Sequence, residues 1–285
     1  KNGTVDIVAD NEAHATQLAK QLLGYFQGDS EKFDAADQEA LRNALPEDRR
    51  YSYKIRPVIE QVADSDSFLE LRREYGQGMV TGFMRIAGKP LGVLANDCMV
   101  LGGAVDAVGA EKAGRFIQLC DAFGLPIVAL ADTPGFMVGP ESDADAAVRR
   151  MSRMFVAGAA AKTPWVTLFL RKGYGLGAMA MAGGSFHRPI YTASWPQGEF
   201  GGMGLEGAVN LGFSKELAAA PNSEARQELF DELLALLYEK GKATEAASFL
   251  ELDGVIDPAD TRATILAALS NAPKSSGSGR FVDTW

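Results

Sequence analysis

The stretch RKGYGLGAM, residues 171–179, follows the apolar run Trp165–Leu170 and carries few reactive side chains. Gly175 and Gly177 have no Cβ, so a ligand can approach the backbone and successive N–H groups can point at one oxygen. Backbone donors aimed at a developing oxyanion contribute roughly 3–4 kcal/mol each to catalysis. Small residues also let a helix pack closely on a sheet, and spacing alone favours that structural interpretation.

Nucleotide binding is weakly indicated by the same stretch. The P-loop pattern GxxxxGK[ST] is absent, and Gly175 to Ala180 matches only the variant pattern GxGxxA. A dinucleotide fold also needs an acidic residue at a second strand end about 20 positions later. Glu199 instead lies in a loop rich in proline and glycine. We therefore do not predict a dinucleotide site.

A second candidate loop, TPGFMVGP, covers residues 133–140 and follows the apolar run Leu125–Leu130. Its prolines stiffen the backbone, while Gly135 permits unusual backbone angles. Phe136 and Met137 stand at its apolar tip. A buried tip would cap the core, whereas an exposed tip would form a wall for an apolar ring or acyl chain.

Titratable residues give few catalytic candidates. Asp106 and Asp132 are possible general bases, although an aspartate at a strand end is more typical of a cap or a turn. The chain has two histidines. We expect His187 to form loop hydrogen bonds and His14 to lie inert on the exposed side of a helix.

The composition excludes several classes of protein. The net charge of −9 and the lack of a basic stripe argue against nucleic-acid binding. No apolar stretch approaches the roughly 20 residues of a membrane span. Cys98 and Cys120 form neither a disulfide framework nor a zinc pattern, which indicates core residues and a reducing compartment. A basic cluster on one helix comprises Arg149, Arg150 and Arg153. We expect it to lie on a solvated or interface face, and a phosphate site is the alternative.

Alternating strands and helices must position the two glycine loops. The region from Ile55 to Val108 is predicted to be strand-rich and to include the strands Met79–Ile86 and Leu91–Ala95. Further strands are predicted at Val5–Val8, Leu125–Leu130 and Trp165–Leu170. Seven helices are predicted. The first has Asp10 as its N-cap and runs to Phe26, and a short one lies near Ala36–Leu45. The others are Gly109–Phe123, Asp143–Ala161, a helix that begins at Met179, Glu224–Lys240, and a helix from Asp257–Pro258 to Leu269. This α/β order predicts parallel strands, with ligands outside their carboxyl ends.

Several long signatures resemble one family. They are YKIRPVIE, DSFLELRREYGQGMVTGFMRIAGKPLGVLAND, GGAVDAVGAEKAGRFIQLCDAFGLPIVALADTPGFMVG, RKGYGLGAMAM and SWPQGEFGGMGLEGAVNL, in this order. From Asp6 to Leu269 the chain resembles the C-terminal half of the carboxyltransferase of biotin-dependent acyl-CoA carboxylases, of the acetyl-, propionyl-, methylcrotonyl- or long-chain type.

The resemblance implies a crotonase-like α/β fold, in which repeated ββα units form a spiral. It assigns residues 1–50 to the end of the N-terminal half and a linker helix. Residues 51–272 would form the C-terminal carboxyltransferase domain, and residues 273–285 a flexible tail.

The implied reaction moves CO₂ from carboxybiotin to the α-carbon of an acyl-CoA. In this family, loss of CO₂ leaves a biotin enolate whose ring nitrogen takes the α-proton, and the acyl-CoA enolate then attacks CO₂. The cofactor supplies the base, so the protein needs only backbone donors and a site that excludes water. The absence of reactive side chains at residues 171–179 is consistent with this chemistry.

By motif position, the N–H groups of Leu176 and Gly177 would hold the biotin oxygen. Relatives often have YGGAY where this chain has YGLGA, so the pair Gly177–Ala178 is the alternative. Met179 stands where propionyl-type relatives carry an aspartate beside the acyl chain, which implies a longer or bulkier acyl group. Further residues implied to contact biotin are Gly135, Phe136, Met137, Gly175 and Ala178.

The resemblance also implies partners. The N-terminal half and a biotinyl lysine in a Met-Lys-Met context are absent from the sequence, so the chain alone is expected to be catalytically incomplete: a fragment, an isolated domain or one subunit of a split enzyme. Biotin would arrive on a separate carrier domain loaded by a biotin carboxylase, and no metal is expected. The assembly would be a trimer of dimers in the bacterial cytoplasm or the mitochondrial matrix.

Three alternatives stay open at this point. The chain could belong to a decarboxylase or transcarboxylase subunit of the same superfamily. It could be a crotonase-type hydratase or isomerase, which needs paired carboxylates near the glycine loops. It could also be a module that docks a biotin carrier without turnover.

Overall fold

The computed structural model describes residues 2–273 and 277–283. The strands are β1 (Leu69–Leu71), β2 (Met79–Ile86), β3 (Lys89–Asn96), β4 (Ile127–Thr133), β5 (Trp165–Tyr174), β6 (Tyr191–Ser194), β7 (Glu199–Gly201) and β8 (Gly254–Val255). The helices are α1 (Glu12–Gly24), α2 (Ile55–Val62), α3 (Ala107–Phe123), α4 (Pro140–Ala144), α5 (Ala147–Ala160), α6 (Gly175–Met181), α7 (Leu205–Gly212), α8 (Ser214–Ala218), α9 (Ser223–Lys240), α10 (Ala243–Ser248) and α11 (Thr261–Ser270). Short 3₁₀ helices cover Gln38–Asn43, Leu101–Gly103 and Pro258–Asp260.

One mixed sheet connects these strands in the order β1-β2-β3-β4-β5-β6-β8, with β7 also paired to β5. The pairs β1–β2 and β2–β3 are antiparallel, and the pairs from β3 to β8 are parallel. Helical crossovers over α3 and over α4–α5 connect the central parallel strands. This confirms the predicted α/β class and the predicted parallel pairing of the strands that lead into the two glycine loops.

The core covers both faces of the sheet. Successive residues of a strand point to opposite faces, so Ala129 packs beside α3 and α5 while Val128 and Leu130 pack on the side of α2 and α11. Every residue of β4 is buried. Burial on both faces explains why the central strands are continuous apolar runs without alternation.

Several predicted elements are confirmed by the structure. Strand β2 coincides with the predicted strand Met79–Ile86, and α9 spans the predicted Glu224–Lys240 helix. Helix α3 ends at Gly124, which adopts a left-handed conformation with φ 70° as its C-cap.

The N-terminal region differs from the prediction. Residues 5–8 form no strand, and the side chain of Asn11, one residue after Asp10, caps α1. Within the region predicted to be strand-rich, Ile55–Val62 is a helix whose buried residues follow the i, i+3, i+4, i+7 pattern. Their β-branched side chains suit a strand, but tertiary burial of one helical face determines the outcome.

The other differences lie near the glycine loops. The predicted helix Asp143–Ala161 is interrupted at Ala146, which has φ 54°, so it divides into α4 and α5. Strand β5 extends to Tyr174 because Lys172–Tyr174 pair with β7. Helix α6 therefore covers Gly175–Met181. The sequence predicted a helix that begins at Met179, four residues later.

The chain after α11 returns along α3. The N–H of Ser278 donates to the carbonyl of Asp121 at 2.8 Å, and Gln118 Nε2 donates to Asp283 at 2.8 Å. The predicted flexible tail, residues 273–285, includes residues 274–276 and 284–285, which lie outside the described residues, as does residue 1 of the predicted N-terminal segment.

Candidate functional site

The carboxyl ends of β4 and β5 bring the two glycine loops together. These strands are parallel neighbours, with Ala131 opposite Phe169 and Thr133 opposite Gly173. The loop 134–139 therefore leaves the sheet beside the start of α6. Parallel strands place the segments that follow them at one edge, which is where ligands bind in such sheets.

Gly177 lies directly against the backbone of the neighbouring loop. An added Cβ on Gly177 would stand 2.6 Å from the carbonyl carbon of Gly135 and 3.0 Å from the nitrogen of Phe136. Such distances are far below ordinary carbon contacts of about 3.5–4.0 Å. Glycine is thus required at position 177 because two backbones meet there.

The first turn of α6 has backbone donors without a side-chain cap. Tyr174 precedes the helix and makes no capping hydrogen bond. Gly175 has φ 57°, and an added Cβ there would meet the carbonyl oxygen of Gly202 at 2.8 Å. Leu176 is 61% exposed. Because N–H groups in a first helical turn lack intrahelical acceptors, those of Leu176 and Gly177 are available for an external acceptor.

A cavity of about 440 Å³ opens beside this helix start. Gly175, Leu176 and Met179 line one side of it. Two aromatic side chains form other walls: the rings of Phe186 and Phe200 both contact the buried ring of Phe169, at 5.0 and 5.1 Å between centroids. The lining is mostly apolar, which suits a flat apolar ring or an acyl chain.

The tip of the 133–140 loop is anchored in the protein. Phe136 packs against Phe155 with ring centroids 5.9 Å apart, and the N–H of Met137 donates to the carbonyl of Val105 at 2.9 Å. Both side chains are half-buried against the core. The structure places the exposed side chain of this loop at Val138, one residue later. The side chains of Phe136 and Met137 do not line the 440 Å³ cavity, although Gly135 contacts Gly177.

Beneath the loops lies a buried ion pair. Arg171 Nε donates to Asp132 Oδ2 at 3.1 Å, and both side chains are almost fully buried. The other carboxylate oxygen accepts from the N–H of Lys172 at 3.1 Å. Arg171 also donates to the carbonyls of Arg49 and Tyr51 at 3.1 and 2.8 Å. These contacts assign Asp132 a structural role and leave it no general-base role.

Two tyrosines close to this edge remain protonated. Burial, together with the nearby charge of Asp132, raises the pKa of Tyr53 well above its usual range. Tyr174 donates from its hydroxyl to Glu199 at 2.8 Å. Burial and the Glu199 carboxylate raise the pKa of Tyr174. Neither hydroxyl can act as a base near neutral pH.

Other titratable candidates have structural partners. Asp106 caps α3 by accepting from the N–H of Gly109 at 2.7 Å, as a cap aspartate should. His14 lies 3.0 Å from Asp10, and exposed His187 donates from its backbone N–H to Ser185.

The cysteines and the arginine cluster also have structural surroundings. Cys98 and Cys120 are buried and free, as predicted. In the predicted basic cluster, Arg150 and Arg153 both contact Glu111, at 2.7 and 3.1 Å. This pairing favours the structural interpretation of the cluster over a phosphate site.

Sequence reasoning missed three parts of this site. Arg171 and Asp132 are 39 positions apart in the sequence, and they pair only because of the register between β5 and β4. The aromatic walls Phe186 and Phe200 are single residues in glycine-rich stretches. A signal was present in the pattern SWPQGEFGG, but nothing local indicates that Phe200 faces the cavity.

Among residues 2–273 and 277–283, no helix is long and apolar enough to cross a membrane. No group of three or more metal-ligating side chains comes together in that part of the chain.

Comparisons with known proteins agree with the signatures in the sequence. The model of the family described as "Carboxyl transferase domain" matches residues 1–277. The chain is similar to the biotin-dependent acetyl-/propionyl-coenzyme A carboxylase beta6 subunit of Mycobacterium tuberculosis, with 38% identity over 97% of this chain and 59% of that protein. It is 34% identical to the methylmalonyl-CoA carboxyltransferase 12S subunit of Propionibacterium freudenreichii, over 94% of this chain and 52% of that subunit.

Solved structures give the same result. A single-chain, multi-domain long-chain acyl-CoA carboxylase superposes with a TM-score of 0.87 and 52% identity, over 94% of this chain and 27% of that one. The transcarboxylase 12S hexamer, solved with methylmalonyl-coenzyme A and methylmalonic acid bound, gives a TM-score of 0.83 and 32% identity over 52% of its chain. The chain thus spans about half the length of the curated relatives it matches.

Proposed function

Since the chain belongs to the carboxyl transferase domain family, we propose that it is the biotin-binding half of an acyl-CoA carboxyltransferase. The family match over residues 1–277 supports this proposal. So does the span of about half of each curated relative, which is what one half of such a subunit would cover. We further propose that the mixed sheet with its helical crossovers is a crotonase-like spiral of ββα units.

The proposed reaction transfers CO₂ from carboxybiotin to the α-carbon of an acyl-CoA. Carboxybiotin supplies the CO₂ and, after its loss, the base for the α-proton. The residues of this chain bind and orient the ring, donate hydrogen bonds to its oxygen and exclude water. Backbone N–H groups suit this role because they cannot be titrated and are already oriented.

The cavity beside α6 fits a biotin ring. Leu176, Phe186 and Phe200 provide apolar walls, which such a ring needs. Gly202 lies opposite the helix start, and the carbonyl oxygen of Gly202 occupies the space that a side chain on Gly175 would need. An added Cβ on Gly202 itself meets no heavy atom within 4 Å, so that position leaves room for a ligand.

The observation that carries the proposal is the contact between the two glycine loops. Gly177 can approach Gly135 only without a Cβ, and this contact fixes the N–H groups of Leu176 and Gly177 relative to the sheet. Beneath them, the buried pair Arg171–Asp132 ties the end of β5 to β4. Preorganised donors are effective in catalysis because they need no reorganisation when charge develops.

Met179 would influence the choice of acyl group. Its side chain is half-buried and lines the same cavity as Leu176. A flexible thioether provides apolar contact for a long or bulky acyl chain, whereas a carboxylate there would disfavour one. Similarity to a long-chain acyl-CoA carboxylase supports this assignment.

The remaining catalytic parts would come from partners. We propose that an N-terminal carboxyltransferase half of another subunit binds the CoA thioester and closes the active site over this chain. A biotin carrier domain would deliver carboxybiotin, and a biotin carboxylase would load it. The hexamer of the transcarboxylase 12S relative supports a trimer of dimers.

Single backbone donors can be removed to test this assignment, in the chain combined with its N-terminal half. Leu176→Pro deletes one N–H in the first turn of α6, where proline is tolerated, while Leu176→Ala keeps it. We expect the proline variant to lose about 10²- to 10³-fold in kcat. The alanine variant should stay within a few-fold of the parent, and equal thermal unfolding temperatures would show that both fold.

The alternative donor pair is tested by the same assay. Replacing Ala178 with lactic acid exchanges its N–H for an ester oxygen. A loss of kcat with Leu176→Pro supports Leu176–Gly177, and a loss with the ester supports Gly177–Ala178. If neither change lowers kcat, the oxyanion site is assigned to the wrong loop.

Transcarboxylation is the second candidate function, favoured by the similarity to the 12S subunit. A transcarboxylase takes its carboxyl group from one acyl thioester, whereas a carboxylase takes it from bicarbonate through biotin carboxylase. Labelled bicarbonate and labelled methylmalonyl-CoA, supplied separately, distinguish the two. A hydratase is disfavoured because Asp132 and Glu199 are held by Arg171 and Tyr174.

A further inference from the structure

The turn that follows α10 borders the cavity beside α6. Ala246 and Glu251 line this cavity, and Phe249 and Leu250 lie between them in the chain. These two side chains are 76% and 78% exposed. Leu176 of α6, which also lines the cavity, is exposed as well. Large apolar side chains are therefore exposed beside the cavity on two separate segments.

The turn has the hydrogen bonds of a Schellman motif. The N–H of Leu250 donates to the carbonyl of Ala247, and the N–H of Glu251 donates to that of Ala246, both at 3.0 Å. Leu250 takes the position after the cap residue and adopts a left-handed conformation with φ 61°. Glycine is the usual residue at this position, because a side chain is strained in that conformation.

Leucine at position 250 does not help the chain to fold. Its backbone conformation is unfavourable for a side chain, and its exposed side chain buries little apolar surface. Strained residues and exposed apolar residues both occur at binding surfaces. Leu250 combines the two properties next to the candidate site, together with the exposed ring of Phe249. This combination indicates a surface that another molecule covers.

Both ends of the turn are fixed to the rest of the protein. At the start of α10, the N–H of Ala243 donates to the carbonyl of Gly198 at 3.0 Å. After the turn, Leu252 is buried in the core, and the N–H of Asp253 donates to the carbonyl of Thr192 at 2.8 Å. The two exposed side chains are therefore held at a defined position relative to the cavity.

We propose that Phe249 and Leu250 form a docking surface for the biotin carrier domain. The inference rests on the proposed function: a biotin ring bound in the cavity stays attached to its carrier, so the carrier must lie over the cavity mouth and contact its rim. The carrier must also leave after each transfer, and two exposed apolar side chains suit a small, transient contact. A permanent interface with the N-terminal half would bury a larger and more continuous apolar surface.

Leu250→Gly tests the surface without weakening the fold. It removes the apolar side chain and introduces the residue that the turn favours, so Tm should not fall. The variant is combined with the N-terminal half and assayed with two donors: free carboxybiotin, and carboxybiotin on the biotinyl domain of the enzyme system that contains this chain. KM for the carrier-bound donor should rise about fivefold or more, because an apolar side chain no longer becomes buried on docking. Transfer from free carboxybiotin should be unchanged.

Two further variants and a binding measurement complete the test. Phe249→Ser should have the same effect as Leu250→Gly. Leu23→Ser is the matched control, since it removes an exposed leucine from α1, a helix that does not line this cavity. Fluorescence anisotropy of a labelled, uncarboxylated biotinyl domain measures docking without turnover. Its Kd should rise in the two turn variants by about the same factor as KM and stay unchanged in Leu23→Ser.

The outcomes distinguish a failure of the docking surface from a failure of the proposed function. If the parent mixture transfers from both donors and the turn variants keep their carrier KM and Kd, the docking surface is wrong while the proposed function stands. If the turn variants lose transfer from both donors equally, the turn serves the fold or the N-terminal half, and carrier docking is wrong. If the parent assembles with the N-terminal half but transfers from neither donor, the proposed function is wrong and the docking surface falls with it.

Discussion

The substitution Gly177→Ala tests whether the contact between the two glycine loops holds the candidate site. The added Cβ would stand 2.6 Å from the carbonyl carbon of Gly135, roughly 0.9 Å inside a normal contact. Its neighbours are backbone atoms, which cannot rotate away. Overpacking of this kind costs about 1–3 kcal/mol, and the better helix propensity of alanine offsets up to about 1 kcal/mol.

The net loss lies between about 0 and 3 kcal/mol, and a mid-range loss of about 1–2 kcal/mol should lower Tm by about 2–8 °C. The larger effect should be catalytic, because a displacement of about 1 Å at a positioning element can lower the rate about 100-fold. Gly212→Ala is the matched control. Gly212 lies in α7, does not line the cavity, and an added Cβ there meets no heavy atom within 4 Å.

Calorimetric unfolding of the chain and carboxyl transfer with the N-terminal half measure the two effects separately. We expect Gly177→Ala to lower stability and activity more than Gly212→Ala does. If the two variants are equally stable and equally active, the close approach of the loops is not what orients the donors.

Three further substitutions test neighbouring parts of the site and the fold. Met179→Asp should lower kcat/KM for long-chain relative to short-chain acyl-CoA by about tenfold or more, and equal effects on both substrates would refute the assigned contact. Arg171→Met should destabilise the chain by about 3–5 kcal/mol in urea unfolding, because it leaves the Asp132 carboxylate buried and unpaired; adding Asp132→Leu should restore most of the loss. The hydrogen bond from Arg150 lowers the pKa of Glu111 below its ordinary 4.5, so this group stabilises the fold above that pH and the contribution is lost as pH falls through the folded pKa. The free energy of unfolding of Glu111→Gln should therefore fall less than that of the parent between pH 6 and pH 3, and parallel pH profiles would contradict this.

Much of the sheet was predictable because its central strands are short apolar runs bounded by glycine and proline. The rule that ligands bind at the carboxyl ends of parallel strands also predicted that residues 133–140 and 171–179 share one edge of the sheet. Residues 172–174 could not be assigned, since their strand conformation depends on pairing with β7, more than 20 positions later.

Helix α2 shows a different kind of error. Ile55, Val58, Ile59 and Val62 have helical spacing, so the signal was present, but their β-branched side chains favoured a strand. The role of Asp132 was not readable from the sequence, because only the register between β4 and β5 brings Arg171 to it. Glycine positions predicted which two loops meet at the sheet edge, because they report on local backbone requirements. Side chains that line the cavity from distant segments did not.

The most direct test of the central claim is transfer of label from carboxybiotin to an acyl-CoA. The chain, a separately produced N-terminal carboxyltransferase half and their mixture are each incubated with ¹⁴C-carboxybiotin and acyl-CoA, and acid-stable label in the thioester is counted. We expect product in the mixture and none with either half alone. Product formed by this chain alone, or no product in a mixture shown to assemble, would contradict the proposed division of the active site.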